Sequence, residues 1–128
     1  MSTNKKLFEI TLSISEFPVL NYKDSLKMAL DKMTKFGIGI SCFTSEEKLV
    51  GILTDGDLRR LILTKQNPLP ALLVDEALNY GTKNPISARI DDEIESIKKM
   101  MDTKKIWDLP LVDSDNKLIG LINRHKLG

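Results

Sequence analysis

Leu49-Val-Gly-Ile-Leu at 49–53 returns as Leu118-Ile-Gly-Leu-Ile at 118–122, with the two glycines 69 residues apart in a chain of 128. A lysine precedes each copy, Lys48 and Lys117. The polar turns ahead of them also correspond, Ser45-Glu-Glu-Lys with Ser114-Asp-Asn-Lys, and each turn follows an apolar stretch, Ile40-Ser-Cys-Phe or Leu109-Pro-Leu-Val. Each block therefore predicts a two-stranded hairpin. Internal repetition on this scale constrains the fold more than any local signal does, because each copy is one supersecondary unit with an apolar face that it cannot cover alone.

The repeat extends upstream. Leu26, Ala29, Leu30 and Met33 fall on one helical face, and Ile94, Ile97 and Met101 do the same 68 residues later, so one residue is inserted after the second helix. Beyond the first hairpin, Asp55 to about Thr64 has the apolar spacing of a further helix through Leu58, Leu61 and Ile62. Each half then reads strand, helix, strand, strand, helix. The expected class is α+β (α/β): two β-α-β-β-α repeats with pseudo-twofold symmetry, over residues 7–65 and 80–128. A unit of about 55–60 residues buries little surface by itself, so the halves are expected to share a core. The prolines of Gln66-Asn-Pro-Leu-Pro mark a linker at 66–79, with a short apolar helix over Ala71 to Leu78 and then the turn-rich Asn79-Tyr-Gly-Thr-Lys-Asn-Pro. Two copies related in this way leave a seam, where one or two small-molecule sites are expected.

Composition removes several classes of function. Lys+Arg number 19 against 18 Asp+Glu, so no basic excess exists to bind DNA through phosphates alone. The one cysteine, Cys42, forms no internal disulfide and no metal site by itself, which fits a reducing compartment. No apolar run approaches the roughly 18 residues of a membrane span, and nothing resembles a secretion signal. A cytoplasmic protein is expected. The sequence also lacks a phosphate-cradling glycine-rich lysine loop, a metal-ligand cluster and a nucleophile with a recognisable base, so no catalytic residue and no metal are assigned.

The most informative stretch is Gly51-Ile-Leu-Thr-Asp-Gly-Asp-Leu-Arg-Arg60, a strand running into a helix. Thr54 and Asp57 have capping-box spacing, in which the hydroxyl accepts an amide of the first turn and the carboxylate reaches back. The same geometry suits a ligand: a carboxylate at a strand-to-helix corner can accept both hydroxyls of a ribose. Arg59 and Arg60 could add charge-assisted bonds to phosphate, and Gly56 is compatible with close approach. In the second copy the aligned residues are Asn123, Arg124, His125 and Lys126. Asn123 can still cap, but Lys126 has donors only and cannot accept a diol. The two corners are chemically unequal.

The paired pattern, with Gly-x-x-Thr-x-x-Asp closing the first copy, resembles a tandem cystathionine-β-synthase (CBS) domain pair, or Bateman module, from about Leu7 to Leu127. It is most similar to the pair at the C-terminal end of bacterial arabinose-5-phosphate isomerases of the sugar-isomerase family. The matching pieces are Phe17-Pro-Val, Ser25-Leu-Lys-Met-Ala-Leu, Met33-Thr-Lys-Phe-Gly-Ile-Gly, the Gly51 to Arg60 run, Lys83-Asn-Pro-Ile and Gly120-Leu-Ile-Asn-Arg-His-Lys-Leu. CBS pairs of sugar-phosphate nucleotidyltransferases share a Thr-Asp-Gly-Asp-x-Arg-Arg run. The resemblance implies a non-catalytic regulatory module that senses AMP, ADP, ATP or a CMP-sugar and controls an attached catalytic domain. It implies a homodimer, with ligand-free dimerisation as the alternative role. In the family pattern Asp57 holds the ribose, Thr54 lies near ribose or phosphate, and the backbone of Gly39 and Ile40 flanks the base. Asp55, Arg59 and Arg60 complete the expected ligand set. The absence of a sugar-isomerase domain implies an excised or free-standing module.

The remaining distinctive residues have plainer expected roles. His125, the sole histidine, is expected at the surface or a helix start, and Cys42 as a buried inert thiol. Met28, Met33, Met100 and Met101 are expected in core or helix-pair contacts. Trp107, set equivalent to Ile38, is expected to pack in a core or dimer contact, with stacking on a base as the alternative. Lys98-Lys99 and Lys104-Lys105 are expected on solvated helix faces.

Overall fold

The computed structural model describes the backbone of residues 2–128 and the side chains of residues 6–128. In chain order the elements are α1 (Ser2–Glu9), β1 (Thr11–Leu12), β2 (Val19–Asn21), α2 (Leu26–Phe36), β3 (Ile40–Ser45), β4 (Lys48–Thr54), α3 (Asp55–Thr64), α4 (Leu69–Val74), β5 (Thr82–Lys83), β6 (Ala88–Arg89), α5 (Ile94–Lys104), β7 (Asp108–Val112) and β8 (Leu118–Asn123). Two 3-10 turns, Ala77–Tyr80 and Arg124–Leu127, complete them. These elements divide into two compact units, residues 17–85 and residues 86–128 joined by the N-terminal segment up to Glu16.

The two sheets have the same plan. In the first unit the order is β2-β3-β4-β5, and in the second β6-β7-β8-β1. Each has one parallel pair (β2 with β3, β6 with β7), the hairpin, and a short antiparallel edge strand. The hairpins even share a register irregularity, at Phe43/Thr44 and at Leu111/Val112. The edge strands are exchanged: β5, which falls within the stretch expected as the second repeat, completes the first sheet, and β1, from the stretch expected as the first repeat, completes the second. Two-residue strands carry almost no periodicity, so neither was legible in advance.

The segments that return to each hairpin account for the repeated glycine. Gly51 lies opposite Phe43, and a side chain there would overlap Leu78 of the first 3-10 turn. Gly120 lies opposite Leu111, and a side chain there would strike the Thr11 side chain and the Leu12 carbonyl of β1. Both positions are kept bare so that the returning segment can approach the strand.

The core of the first unit collects Leu20, Leu26, Ala29, Phe43, Leu53 and Leu61, together with Leu72, Ala77 and Leu78. The stretch expected as linker and short helix thus supplies three core side chains to this unit. Its helix does not run from Ala71 to Leu78. α4 stops at Val74 because Asp75 and Glu76 are extended and bridge to α2's entry, Leu26 N–H donating to Asp75 O at 2.8 Å and Ala77 N–H to Asp24 O at 2.9 Å. The second unit buries Leu7, Ala88, Ile97, Met101, Leu109, Leu111 and Ile122. Its closing helix is a single 3-10 turn. Met33 and Met101 are buried as expected, as is Cys42, whereas Met28 is 45% exposed. No helix among the described residues is long and apolar enough to cross a membrane.

Candidate functional site

Strand register carries the chain to the first corner. Ile40 pairs with Thr54 at the open end of the hairpin, and Asp55 N–H donates to Gly39 O at 3.0 Å, so β4 turns directly into α3 beside the start of β3. Thr54 is the N-cap in extended conformation. Its hydroxyl accepts the Asp57 amide at 3.3 Å, and the Asp57 Oδ2 accepts the Thr54 amide at 2.9 Å. The capping box predicted from spacing is complete.

Asp57 does more than cap. It is 8% exposed, and its Oδ1 accepts the Arg60 guanidinium, whose side chain lies mostly in solvent. A charged group this deep is tolerable because both oxygens have donors. Asp55 and Asp57 together place two carboxylates in the first turn of α3, where they already satisfy the positive end of the helix. A phosphate in this corner would be met by Arg59 and Arg60, both exposed, rather than by the helix end.

Beside this corner lies a cleft of about 280 Å³ within the first unit. Leu30, Met33, Ile38 and Leu58 form its apolar wall, and Thr34, Gly37, Gly39 and Asp55 its polar part. Gly39 leaves room here for the Asp55 carboxylate, which a side chain at that position would push aside. Of the residues expected from sequence, Gly39 and Asp55 line the cleft. Thr54, Ile40, Asp57, Arg59 and Arg60 do not line it; Ile40 is buried in the sheet. Leu30, Met33, Thr34, Gly37, Ile38 and Leu58 were missed. Leu30, Met33 and Leu58 look in sequence like core-facing helix positions, whereas Thr34 and Ile38 cluster around the left-handed Gly37 (φ 65°) that ends α2.

The second corner is built differently. Asn123 caps the 3-10 turn by accepting the His125 amide at 3.0 Å and donates through Nδ2 to Asp108 at 2.9 Å. Arg124 N–H donates to Trp107 O at 2.8 Å, the counterpart of the Asp55–Gly39 bond. Trp107 is thus equivalent to Gly39 and not to Ile38, whose counterpart is Ile106: the amides of Ile38 and Ile106 donate to Met33 O and Met101 O respectively. Nor is Trp107 a core residue. It is 62% exposed and stacks on His125, with ring centroids 5.4 Å apart and planes inclined by 19°. Arg124 grips Asp102 of α5 with two bonds, 2.6 Å from Nε and 3.0 Å from Nη2. The hydrogen bond from Arg124 holds the Asp102 carboxyl below the ordinary aspartate value, and the same bond raises the guanidinium. Among the described residues no cluster of three or more His, Cys, Asp or Glu is arranged to hold a metal ion.

With this geometry in place, comparison with known proteins is informative. The family model for the CBS domain matches twice, over residues 9–64 and 76–127. The arabinose 5-phosphate isomerase KdsD of Pseudomonas aeruginosa is 35% identical over 104 residues, 80% of this chain and 31% of that protein. A homoserine O-acetyltransferase of Methanohalobium evestigatum is 34% identical over 79 residues, 62% of this chain and 14% of that protein. The chain therefore spans less than a third of either relative. In fold it is similar to the CBS-pair protein CBSX2 of Arabidopsis thaliana, solved in complex with AMP, with a TM-score of 0.79, 22% identity, and 93% of this chain and 90% of that one covered. Two family matches laid over two sheets of one plan, each centred on a bare-glycine hairpin, make the chain a member of the CBS domain family, carrying two copies of the domain.

Proposed function

We propose that this chain is a non-catalytic regulatory module whose first repeat takes an adenine nucleotide or a nucleotide-sugar and reports its occupancy to a catalytic domain. The observation that carries the reading is the juxtaposition in one unit of an apolar-walled cleft with a strand-to-helix corner bearing Asp57 and two exposed arginines. A flat apolar base suits the wall formed by Leu30, Met33, Ile38 and Leu58. In this reading Gly39 and Ile40 flank the base with their backbone, Thr54 and Asp57 hold the ribose, and Arg59 and Arg60 meet the phosphate. Arg60 leaves Asp57 Oδ1 for the phosphate as the diol arrives, which keeps the buried carboxylate paired throughout.

AMP, ADP and ATP are supported by the AMP complex of CBSX2, and a CMP-sugar by the similarity to arabinose 5-phosphate isomerases, a resemblance that implies a place in lipopolysaccharide sugar synthesis. The favoured partner is such an isomerase domain, acting in the cytoplasm, with the module as a homodimer and its repeats at 7–65 and 80–128. The sugar-phosphate nucleotidyltransferase and the homoserine O-acetyltransferase are alternative parents. A second reading, a ligand-free dimerisation module, is favoured by Ile62, Leu63, Leu69 and Val74, each more than 60% exposed on α3 and α4.

Titration calorimetry with AMP, ATP and a CMP-sugar separates the two. Asp57→Asn keeps an acceptor for the Thr54 amide but loses the charge, and a charge-assisted bond contributes about 1.5–3 kcal/mol, so affinity is expected to fall at least about tenfold. No heat with any nucleotide leaves the dimerisation reading. Binding that Asp57→Asn does not weaken removes the ribose assignment.

A further inference from the structure

The two repeats can be compared residue by residue, since α2 and α5 differ by 68 positions and the two corners by 69. Thr34 then corresponds to Asp102, Gly39 to Trp107, Asp55 to Arg124 and Gly56 to His125. In the first repeat Thr34, Gly39 and Asp55 all line the cleft. In the second, the counterparts of Thr34 and Asp55 are bonded to each other: the Asp102–Arg124 pair is bidentate, at 2.6 and 3.0 Å. Its arginine is only 17% exposed and gives a further bond to the Gly128 carbonyl at 2.9 Å. The counterparts of the two glycines are likewise joined, as the Trp107–His125 stack. Every pair of positions that stands apart or bare in the first repeat is linked by side chains in the second.

We propose that the second repeat is closed from within by the Asp102–Arg124 clasp and the Trp107–His125 stack, so that each chain accepts one nucleotide, in its first repeat. The stoichiometry rests on the proposed function; the closure does not. A bidentate guanidinium–carboxylate pair fixes direction as well as distance, so it can hold a single 3-10 turn against α5 where Asn123 alone offers one capping bond. Lys126 stands where Asp57 does, so even an open second corner would lack the diol acceptor.

Hydrogen exchange of the full chain tests the closure without any ligand. In Asp102→Ala the Arg124 and His125 amides are expected to exchange at least tenfold faster, while amides of β7 and β8 keep their rates; unchanged exchange at Arg124 overturns the closure. Titration of the wild type with AMP, followed by NMR, tests the stoichiometry. The amides of Gly39 and Asp55 are expected to shift while the indole N–H of Trp107, the chain's single tryptophan, stays in place. An indole that shifts saturably alongside Gly39 overturns the single-site proposal. If neither AMP nor ATP nor a CMP-sugar moves any amide, the proposed function and its stoichiometry fall together, and the exchange result still decides the closure.

Discussion

The corners at Thr54 and Asn123 occupy the same place in the same sheet plan, yet they spend their polar residues in opposite ways. At the first, a threonine and an aspartate complete a capping box at the head of a ten-residue helix, with a cleft beside them. At the second, one asparagine caps a four-residue turn, and an arginine ties that turn to α5. The fold asks only for an N-cap at this point, since Asn123 meets that need without an acid at its third helical position. What the first corner has beyond a cap is a buried carboxylate and two exposed arginines, and that surplus is where binding chemistry can reside.

Paired substitutions can break or sharpen the comparison. The largest effect is expected in the cores. Phe43 and Leu111 are fully buried at equivalent positions opposite the bare glycines, so Phe43→Ala should cost about 3–5 kcal/mol and Leu111→Ala about 2–5 kcal/mol in denaturant unfolding. A loss below about 1 kcal/mol at either would mean that the units are not equally packed. Next come the caps. Thr54→Ala should cost about 1 kcal/mol and Asn123→Ala visibly less, because the first cap serves a full helix; the reverse order would place the structural burden on the second corner. Smaller still is the end of the long helices, where α2 stops at Gly37 with φ 65° and α5 at Lys105 with φ 56°. Only glycine takes that conformation without a steric cost, so Lys105→Gly should stabilise by about 0.5–1 kcal/mol in denaturant unfolding.

The smallest effect is electrostatic and confined to the second corner. Asp102 titrates below its ordinary value in the folded chain because Arg124 donates to it. A depressed carboxyl stabilises above the unfolded-state value and loses that contribution as pH falls through the folded one. Protection of the Arg124 amide should therefore be constant near neutrality and decline below about pH 4, and Asp102→Asn should remove that dependence.

How much of this was legible in the sequence follows from where the signals lie. The hairpins, both long helices and the capping box could be read because each rests on periodicity or fixed spacing: Leu26, Ala29 and Met33, the repeated glycines, and Thr54 with Asp57. The exchanged strands β1 and β5 could not, since two residues show no alternation and their partners lie far away in sequence. The apolar run from Ala71 to Leu78 reads as one helix, but it is interrupted at Asp75 and Glu76 because the Asp75 carbonyl accepts the Leu26 amide and the next amide, that of Ala77, donates to the Asp24 carbonyl. The similar turns also diverged. Glu46 and Glu47 both take positive φ (50° and 69°) in a two-residue turn, whereas Asp113 shapes its turn by accepting the amides of Asp115 and Lys117. For the site, residue identity located the acid and the arginines but not the cleft wall, because an apolar face that lines a cleft looks in sequence like one that fills a core. The one-residue insertion likewise hid the equivalence of Trp107 and Gly39, on which the contrast between the corners depends.

The most direct test of that contrast is the affinity for AMP, measured by calorimetry, in the wild type, Asp57→Asn and Lys126→Ala. One AMP per chain is predicted, weakened at least about tenfold by Asp57→Asn and unchanged by Lys126→Ala. Two equivalent sites, or an affinity that depends on Lys126 and not on Asp57, would contradict the account.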